Sequence, residues 1–209
     1  MSREEEHREA RRRVGRAYDA LGDAYRGERT ADADGGTLPV VRAFGSDLEA
    51  GSLVLDAGCG PGVTAAVLGD RHRVVGLDIS REQLALARET APAATLCRGD
   101  LTALPFGAGR LDALLELHAI IHVPREQHRA VYAEFARVLR PGGEALVAVR
   151  TDRWEGTTPD WLGAGVEMAW SFPGRERSVE HIEAAGFGVV DAWHIDEEGG
   201  YDCLRLALR

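Results

Sequence analysis

The sequence predicts an open α/β fold, a largely parallel sheet covered by helices on both faces. Three observations carry that expectation. From Leu53 onward short apolar runs alternate with amphipathic stretches. The first run breaks into a glycine-rich turn, Gly58-Cys59-Gly60-Pro61-Gly62, that opens a helix. The chain then ends on two strand-like segments, Gly188 to Ile195 and Asp202 to Leu208, which suit a closing hairpin with the last strand antiparallel. The length of 209 residues, 44% hydrophobic and 28% charged, fits one domain of about 100–250 residues.

Residues 3 to 26 have Val14, Ala17, Tyr18, Leu21 and Tyr25 at helical spacing among Glu and Arg, which predicts an amphipathic helix. Arg11, Arg12 and Arg13, with Glu4, Glu5, Glu6 and Glu9 one or two turns away, read as its solvated face. The small, acidic stretch from Thr30 to Gly36 reads as a connection. Strands are expected at Leu53 to Ala57, Arg73 to Asp78, Thr95 to Gly99, Leu111 to Leu117 and Glu144 to Val149. Helices are expected from Gly62 to Asp70, from a Ser80/Gln83 capping box to Pro92, and from Pro124 to Leu139. Pro141, Gly142 and Gly143 make a turn into the fifth strand. Thr151 to Glu176 holds three of the four tryptophans without clean periodicity and reads as a long functional loop. A short helix from Ser178 to Ala185 precedes the final strands.

The net charge of −9 disfavours a nucleic-acid partner. All 25 basic residues are Arg, and Lys and Asn are both absent. Schiff-base lysine, P-loop and N-glycosylation chemistry are thereby excluded. Cys59, Cys97 and Cys203 form no Cys-x-x-Cys pair, which points to a reducing, cytoplasmic setting. The charged N-terminus is unlike a signal peptide, and no apolar run approaches ~18 residues, so no membrane contact is expected. The histidines lack metal-ligand spacing, and no metal is expected.

The turn after the first strand reads Asp56-Ala57-Gly58-Cys59-Gly60-Pro61-Gly62. Ligands of open α/β sheets bind beyond the carboxyl ends of the strands, and glycine lets the backbone come close to them. A dinucleotide fingerprint starting at Gly58 and Gly60 wants its third glycine where Val63 stands; Gly62 comes one residue early. Asp56 is unfavourable beside a pyrophosphate and suits a cationic ligand.

Asp56, Gly58, Gly60 and Gly62 resemble the first motif of the class I S-adenosylmethionine-dependent methyltransferases. Asp78, closing Val75-Gly76-Leu77-Asp78, resembles the acid that holds the ribose hydroxyls in that family. Gly99-Asp100-Leu101-Thr102-Ala103-Leu104-Pro105-Phe106 is similar to its third motif, where Asp100 would accept from the adenine amino group and the Leu101 amide would donate to the ring. Arg137 to Gly143 resembles the turn before strand five. The resemblance implies a Rossmann-like, doubly wound seven-stranded sheet in the order 3-2-1-4-5-7-6, strand 7 antiparallel, with an N-terminal helical cap. It implies S-adenosylmethionine as cofactor, with Cys59, Ile79 and Leu117 beside the motif residues. The whole chain is most similar to the small-molecule, ubiquinone-biosynthesis-like subgroup. Two carboxylates can accept a diol and an amine, while the glycine turn offers backbone amides to the carboxylate of the methionine moiety. The structural alternative for Asp78 is a helix cap.

Tyr18 to Tyr25 resembles an element that folds over the cofactor, Gly22 replacing an alanine. Both tyrosines share one helix face, so cofactor contact and plain core packing both fit. At the end of strand four His118 is the candidate catalytic base and substrate contact, or alternatively a pocket-shaping residue. His122 is a candidate substrate contact or a structural histidine. Trp154, Trp161, Met168 and Trp170 would line the acceptor pocket as a mobile cover, or plug the sheet edge. The expected organisation is a cap and linker over 1–36, a cofactor core over 37–151, a substrate insert over 152–177, and a terminal helix and hairpin over 178–209. The expected activity is methyl transfer to a small molecule, at oxygen rather than nitrogen, by a monomer or homodimer. A cyclase, decarboxylase or hydrolase on the same fold, and a non-catalytic cofactor-binding module, are the alternatives.

Overall fold

The structure is a computed structural model that describes residues 2–22, 24–27, 36–196 and 199–209. Helices α1 (Arg3–Leu21) and α2 (Thr37–Asp47) precede β1 (Leu53–Ala57), α3 (Val63–Gly69), β2 (Arg73–Asp78), α4 (Arg81–Thr90), β3 (Thr95–Arg98) and β4 (Leu111–Glu116). After these come α5 (His128–Val138), β5 (Leu139–Arg150), β6 (Trp154–Thr158), β7 (Met168–Phe172), α6 (Arg175–Ala184), β8 (Phe187–Ile195) and β9 (Tyr201–Leu208). The main sheet has seven strands in the order β3-β2-β1-β4-β5-β9-β8. The first five are parallel, and β9 runs antiparallel to both β5 and β8. With β6 and β7 set aside as their own hairpin, this is the order read from the sequence.

Strands covered on both faces must be apolar at consecutive positions. Val54 and Leu55 are both wholly buried, Val54 against Val41, Phe44 and Leu68 of α2 and α3, Leu55 in the cluster of Tyr132, Phe135 and Ile182 under α5 and α6. Leu114 and Leu115 divide in the same way.

Several local expectations are corrected. The first helix stops at Leu21, because Gly22 turns the backbone to φ 47°, and residues 24–27 form a separate helical turn. Arg11 is not on a solvated face: it is 6% exposed, unlike Arg12 and Arg13. Residues 30–35 of the expected connection lie outside the described residues. Helix α2 was hidden by Pro39, Val40, Val41 and Gly45; the proline falls in the first turn, where no helical hydrogen bond is lost. The capping box is half made: Ser80 Oγ accepts from the Gln83 amide, while the Gln83 side chain donates to the carbonyls of Tyr18 and Gly22 on α1.

Pro141-Gly142-Gly143 does not precede strand five but interrupts it. β5 pairs from Leu139, and the register with β4 shifts between Leu111 and Ala113 around Gly142 at φ 73°. The stretch after Thr151 is an antiparallel hairpin, Trp154 opposite Phe172 through Thr158 opposite Met168. Its signal was period two, with Met168, Trp170 and Phe172 alternating, masked by the glycines and prolines around it. Val14, Ala17 and Leu21 of α1 pack on Met168, so the first helix and the hairpin meet.

Candidate functional site

The carboxyl ends of β1, β2, β3 and β4 converge on one cavity, whose wall includes Gly60, Asp78, Asp100, Leu117 and His118. Helix α1 completes the wall with Arg11, Val14 and Tyr18, followed by Tyr25. A smaller adjoining chamber shares Tyr25, Gly58, Gly60 and Leu117 with it and adds Asp56, Cys59 and Thr64.

The three glycines of the first turn have φ of 85°, 50° and 86° and serve different ends. A Cβ on Gly58 would lie 2.2 Å from Ala119 Cβ, so this glycine lets the β4 loop close in. One on Gly62 would lie 2.9 Å from Ala87 Cα and push α4 off. Gly60 faces the cavity and meets only Tyr25, at 3.5 Å. The amides of this turn are spent inside the protein. Gly58 and Cys59 donate to the Leu77 carbonyl, Gly60 donates to Asp78 Oδ2 at 2.9 Å, and Gly62 donates to the Cys59 carbonyl. The expectation that they stand ready for a ligand carboxylate is therefore corrected; Asp56 and Thr64 supply polarity in the adjoining chamber. The Cys59 thiol is pushed far up by burial and by the charges of Asp56 and Asp78.

Asp78 is buried at the end of β2, its Oδ1 accepting from the Ser80 amide at 2.8 Å. Burial raises its pKa above the usual carboxylate value, against the opposing amides of Ser80, Gly60 and Ile79. Asp78 thus caps the chain locally and also lines the cavity. Asp100 uses Oδ1 for the amide and hydroxyl of Thr102, at 2.9 and 2.8 Å, and Oδ2 for Arg11 Nε at 2.7 Å. Ile79 and Leu101 give apolar walls.

Tyr18 and Tyr25 line the cavity with ring centroids 5.0 Å apart. His122 is held at both ring nitrogens. A carbonyl can only accept, so Nδ1–H donates to Ala169 O at 2.8 Å, and Nε2 accepts from the Tyr18 hydroxyl at 2.8 Å. Burial lowers its pKa to about 4, so the ring is neutral at pH 7. His122 ties α1 and the hairpin to the β4 loop, and its nitrogens are engaged in that task.

His118 lies in the left-handed region at φ 71°, a strained setting for a non-glycine residue. Its ring stands edge-on to Tyr201, centroids 4.4 Å apart, and the Tyr201 hydroxyl meets Thr37 Oγ1 at 2.6 Å. The loop that carries it is anchored by Glu116, whose Oε1 accepts from the Ala119 and Ile120 amides at 2.7 and 2.8 Å.

The hairpin residues fall differently from expectation. Trp154 is 41% exposed and packs on Phe172, away from the cavity wall. Met168 is wholly buried beneath α1. Trp161 and Trp170 contact each other at 5.1 Å and stand behind the wall, Trp161 against Tyr18 and Tyr25, Trp170 against His122. None of the four lines the cavity: strand pairing places Trp154, Met168 and Trp170, and Trp161 sits in the turn between the strands. Arg11 and Tyr201 were not selected from the sequence. Arg11 continues the stripe of Val14, Tyr18 and Tyr25, but its neighbours Arg12 and Arg13 disguised it.

Among the described residues no group of three His, Cys, Asp or Glu could hold a metal ion, and no helix is long and apolar enough to cross a membrane. The donor set suits an adenosyl sulfonium. Acceptors at successive strand ends, Asp78 buried and Asp100 half-buried, match a diol and an amine, and a bare backbone at Gly60 leaves room between them.

Residues 54–143 match the family model described as a methyltransferase domain. The chain is 34% identical over 168 residues to the methyltransferase GfsG of Streptomyces halstedii, covering 73% of this chain and 58% of that protein. It is 38% identical over 112 residues to the tRNA (carboxymethyluridine(34)-5-O)-methyltransferase alkbh8 of Xenopus tropicalis, covering 53% of this chain and 17% of that one. The chain thus spans less than two thirds of these relatives. A solved structure of the 1,6-didemethyltoxoflavin-N1-methyltransferase of Burkholderia thailandensis, with S-adenosylhomocysteine bound, superposes with a TM-score of 0.67 at 22% identity, over 89% of this chain and 84% of that one. Family match, fold and motif order agree: residues 54–143 match a methyltransferase domain, and the seven-stranded sheet around them has the fold of solved methyltransferase structures.

Proposed function

We propose that this protein transfers a methyl group from S-adenosylmethionine to a small-molecule acceptor, at oxygen in preference to nitrogen. The observation that carries the reading is the convergence of Asp56, Asp78 and Asp100 with Gly60 and His118 on two cavities that share a wall. Asp78 would hold the ribose hydroxyls, Asp100 and Leu101 the base, and Asp56 with Thr64 the methionine end. When bound, the cofactor supplies an electrophilic methyl on a cationic sulfur. The protein then has to orient the acceptor, keep water out and accept a proton.

While His122 ties Tyr18 to Ala169, His118, on the cavity wall just past β4, would serve the last task. Its imidazole would take the hydroxyl proton as the new bond to carbon forms. Tyr18 and Tyr25 would exclude water from above. The three cysteines are unpaired, which supports a reducing, cytoplasmic setting. A tRNA acceptor, as named for some relatives, is disfavoured by the net charge of −9 and the absence of lysine.

The test is calorimetry with S-adenosylhomocysteine on wild type and Asp78→Ala, followed by labelled methyl transfer onto phenol, carboxylate, amine and tRNA panels. Binding abolished by Asp78→Ala, with label entering a small hydroxyl compound, is expected. Unchanged affinity in the variant, label entering tRNA alone, or cofactor turnover without S-adenosylhomocysteine as product would overturn the reading.

A further inference from the structure

We infer that Arg11, reaching over from the first helix, sets the nucleobase specificity of the cavity by fixing the carboxylate of Asp100. This inference rests on the adenosyl reading of the site given above. Among the described residues, Arg11 is the one basic side chain on the cavity besides the two histidines, and it is held on several sides. Nε donates to Asp100 Oδ2 at 2.7 Å, Nη1 donates to Gln127 Oε1, and Nη2 lies 3.9 Å from Glu4. Its side chain is 7% exposed and that of Asp100 30%.

Asp100 cannot choose its own orientation. Thr102 takes one oxygen with its amide and hydroxyl, and Arg11 takes the other, so the carboxyl plane is fixed from two directions. A carboxylate oxygen can accept two hydrogen bonds, so Oδ1 is filled by the two Thr102 donors while Oδ2 keeps one acceptor site beside Arg11. What remains is acceptor capacity alone. A base edge presenting an exocyclic amino group completes it, whereas a keto oxygen meets a carboxylate with no donor to offer. Two of the five guanidinium donors, on Nε and Nη1, are committed to Asp100 and Gln127, and Nη2 lies 3.9 Å from Glu4.

Without Arg11 the Oδ2 side of Asp100 is released, and the group can turn or recruit water, either of which accommodates a keto edge. Arg11 is thus a positioning residue: it acts on the base through Asp100. Lysine is a poor substitute, since a point charge cannot hold Asp100 and Gln127 in one planar fork.

The experiment compares calorimetric affinities for S-adenosylhomocysteine and S-inosylhomocysteine in wild type, Arg11→Met, Arg11→Lys, Asp100→Asn and the Arg11→Met/Asp100→Asn double variant, each verified as folded by circular dichroism. A charge-assisted hydrogen bond sets the scale, and the adenosyl-to-inosyl preference should fall about tenfold or more in Arg11→Met. Arg11→Lys should not restore it, and the double variant should lose no more preference than Asp100→Asn alone. Tyr18→Phe, which loosens the same helix elsewhere, should weaken both ligands by one factor and leave the preference unchanged. If Arg11→Met also weakens both equally, Arg11 only docks the helix and the inference fails. If wild type binds neither compound, the adenosyl reading falls and the inference with it.

Discussion

Glu116→Gln isolates the energetics of the carboxylate beneath the β4 loop. Glu116 is wholly buried, and its Oε2 has no hydrogen-bond partner. Burial, with the charge of Asp56 adding to it, pushes its pKa from 4.5 to about 7 against the opposing Ile120 and Ala119 amides. The folded value is the higher, so the folded chain binds this proton more tightly than the unfolded chain. The resulting stability is complete below pH 4.5 and lost as the pH rises through 7. Integrated between pH 5 and pH 8, the loss is about 2–3 kcal/mol. Glutamine keeps an oxygen for the two amides and does not titrate in this range. Its buried amide nitrogen carries the same cost at both pH values. Urea unfolding of the two proteins at pH 5 and pH 8 should therefore show Glu116→Gln gaining about 2–3 kcal/mol on wild type between them, since other titrating groups cancel in the difference. A pH-independent gap between the two proteins would refute the assignment of a proton to this site.

Further outcomes can be checked alongside it. Gly58→Ala, which drives a methyl against Ala119 at a φ of 85°, should cost about 2 kcal/mol or more in denaturant unfolding. Gly60→Ala should cost less stability but weaken S-adenosylhomocysteine binding in calorimetry, since its new methyl faces the cavity. His118→Ala should remove most turnover on the true acceptor, with a loss that narrows as the pH rises and the hydroxyl ionises unaided; full turnover across about pH 6 to 9 would exclude the base. Tyr18→Phe leaves His122 Nε2 buried without a donor and should lower stability by about 1–2 kcal/mol. Trp154→Ala should leave methyl transfer near wild type while Trp161→Ala reduces it, because one indole packs outside and the other supports the two tyrosines.

What the sequence made legible follows from how local each signal is. β1 and β4 announce themselves because burial on both faces forces unbroken apolar runs, and Asp56, Asp78 and Asp100 stand at or just past the ends of β1, β2 and β3. Arg11 was illegible for the opposite reason. Its meaning comes from a partner 89 positions away, and nothing in Arg11-Arg12-Arg13 separates the buried guanidinium from its exposed neighbours. The hairpin shows a third case. Its aromatic residues stand out in the sequence, but which face each presents depends on the register of Trp154 against Phe172, a pairing that spacing alone does not fix. Helix α2 was obscured by propensity, its valines and glycine being tolerated because tertiary packing of Val41 and Phe44 outweighs them.

The anchors of the N-terminal helix bear on the order in which the molecule assembles and comes apart. Tyr18 reaches a partner 104 positions away and Arg11 one 116 away, so the helix cannot settle until well over half of the chain is in place. Closing such long spans is slow. Among the described residues the helix shares no backbone hydrogen bond with any strand, so it can detach while the sheet stays whole. Amide exchange along Arg3–Leu21 should accordingly be set by a local opening far cheaper than global unfolding. Ligand traffic then needs only a short segment to swing aside, and a protease nick there would spare the seven paired strands.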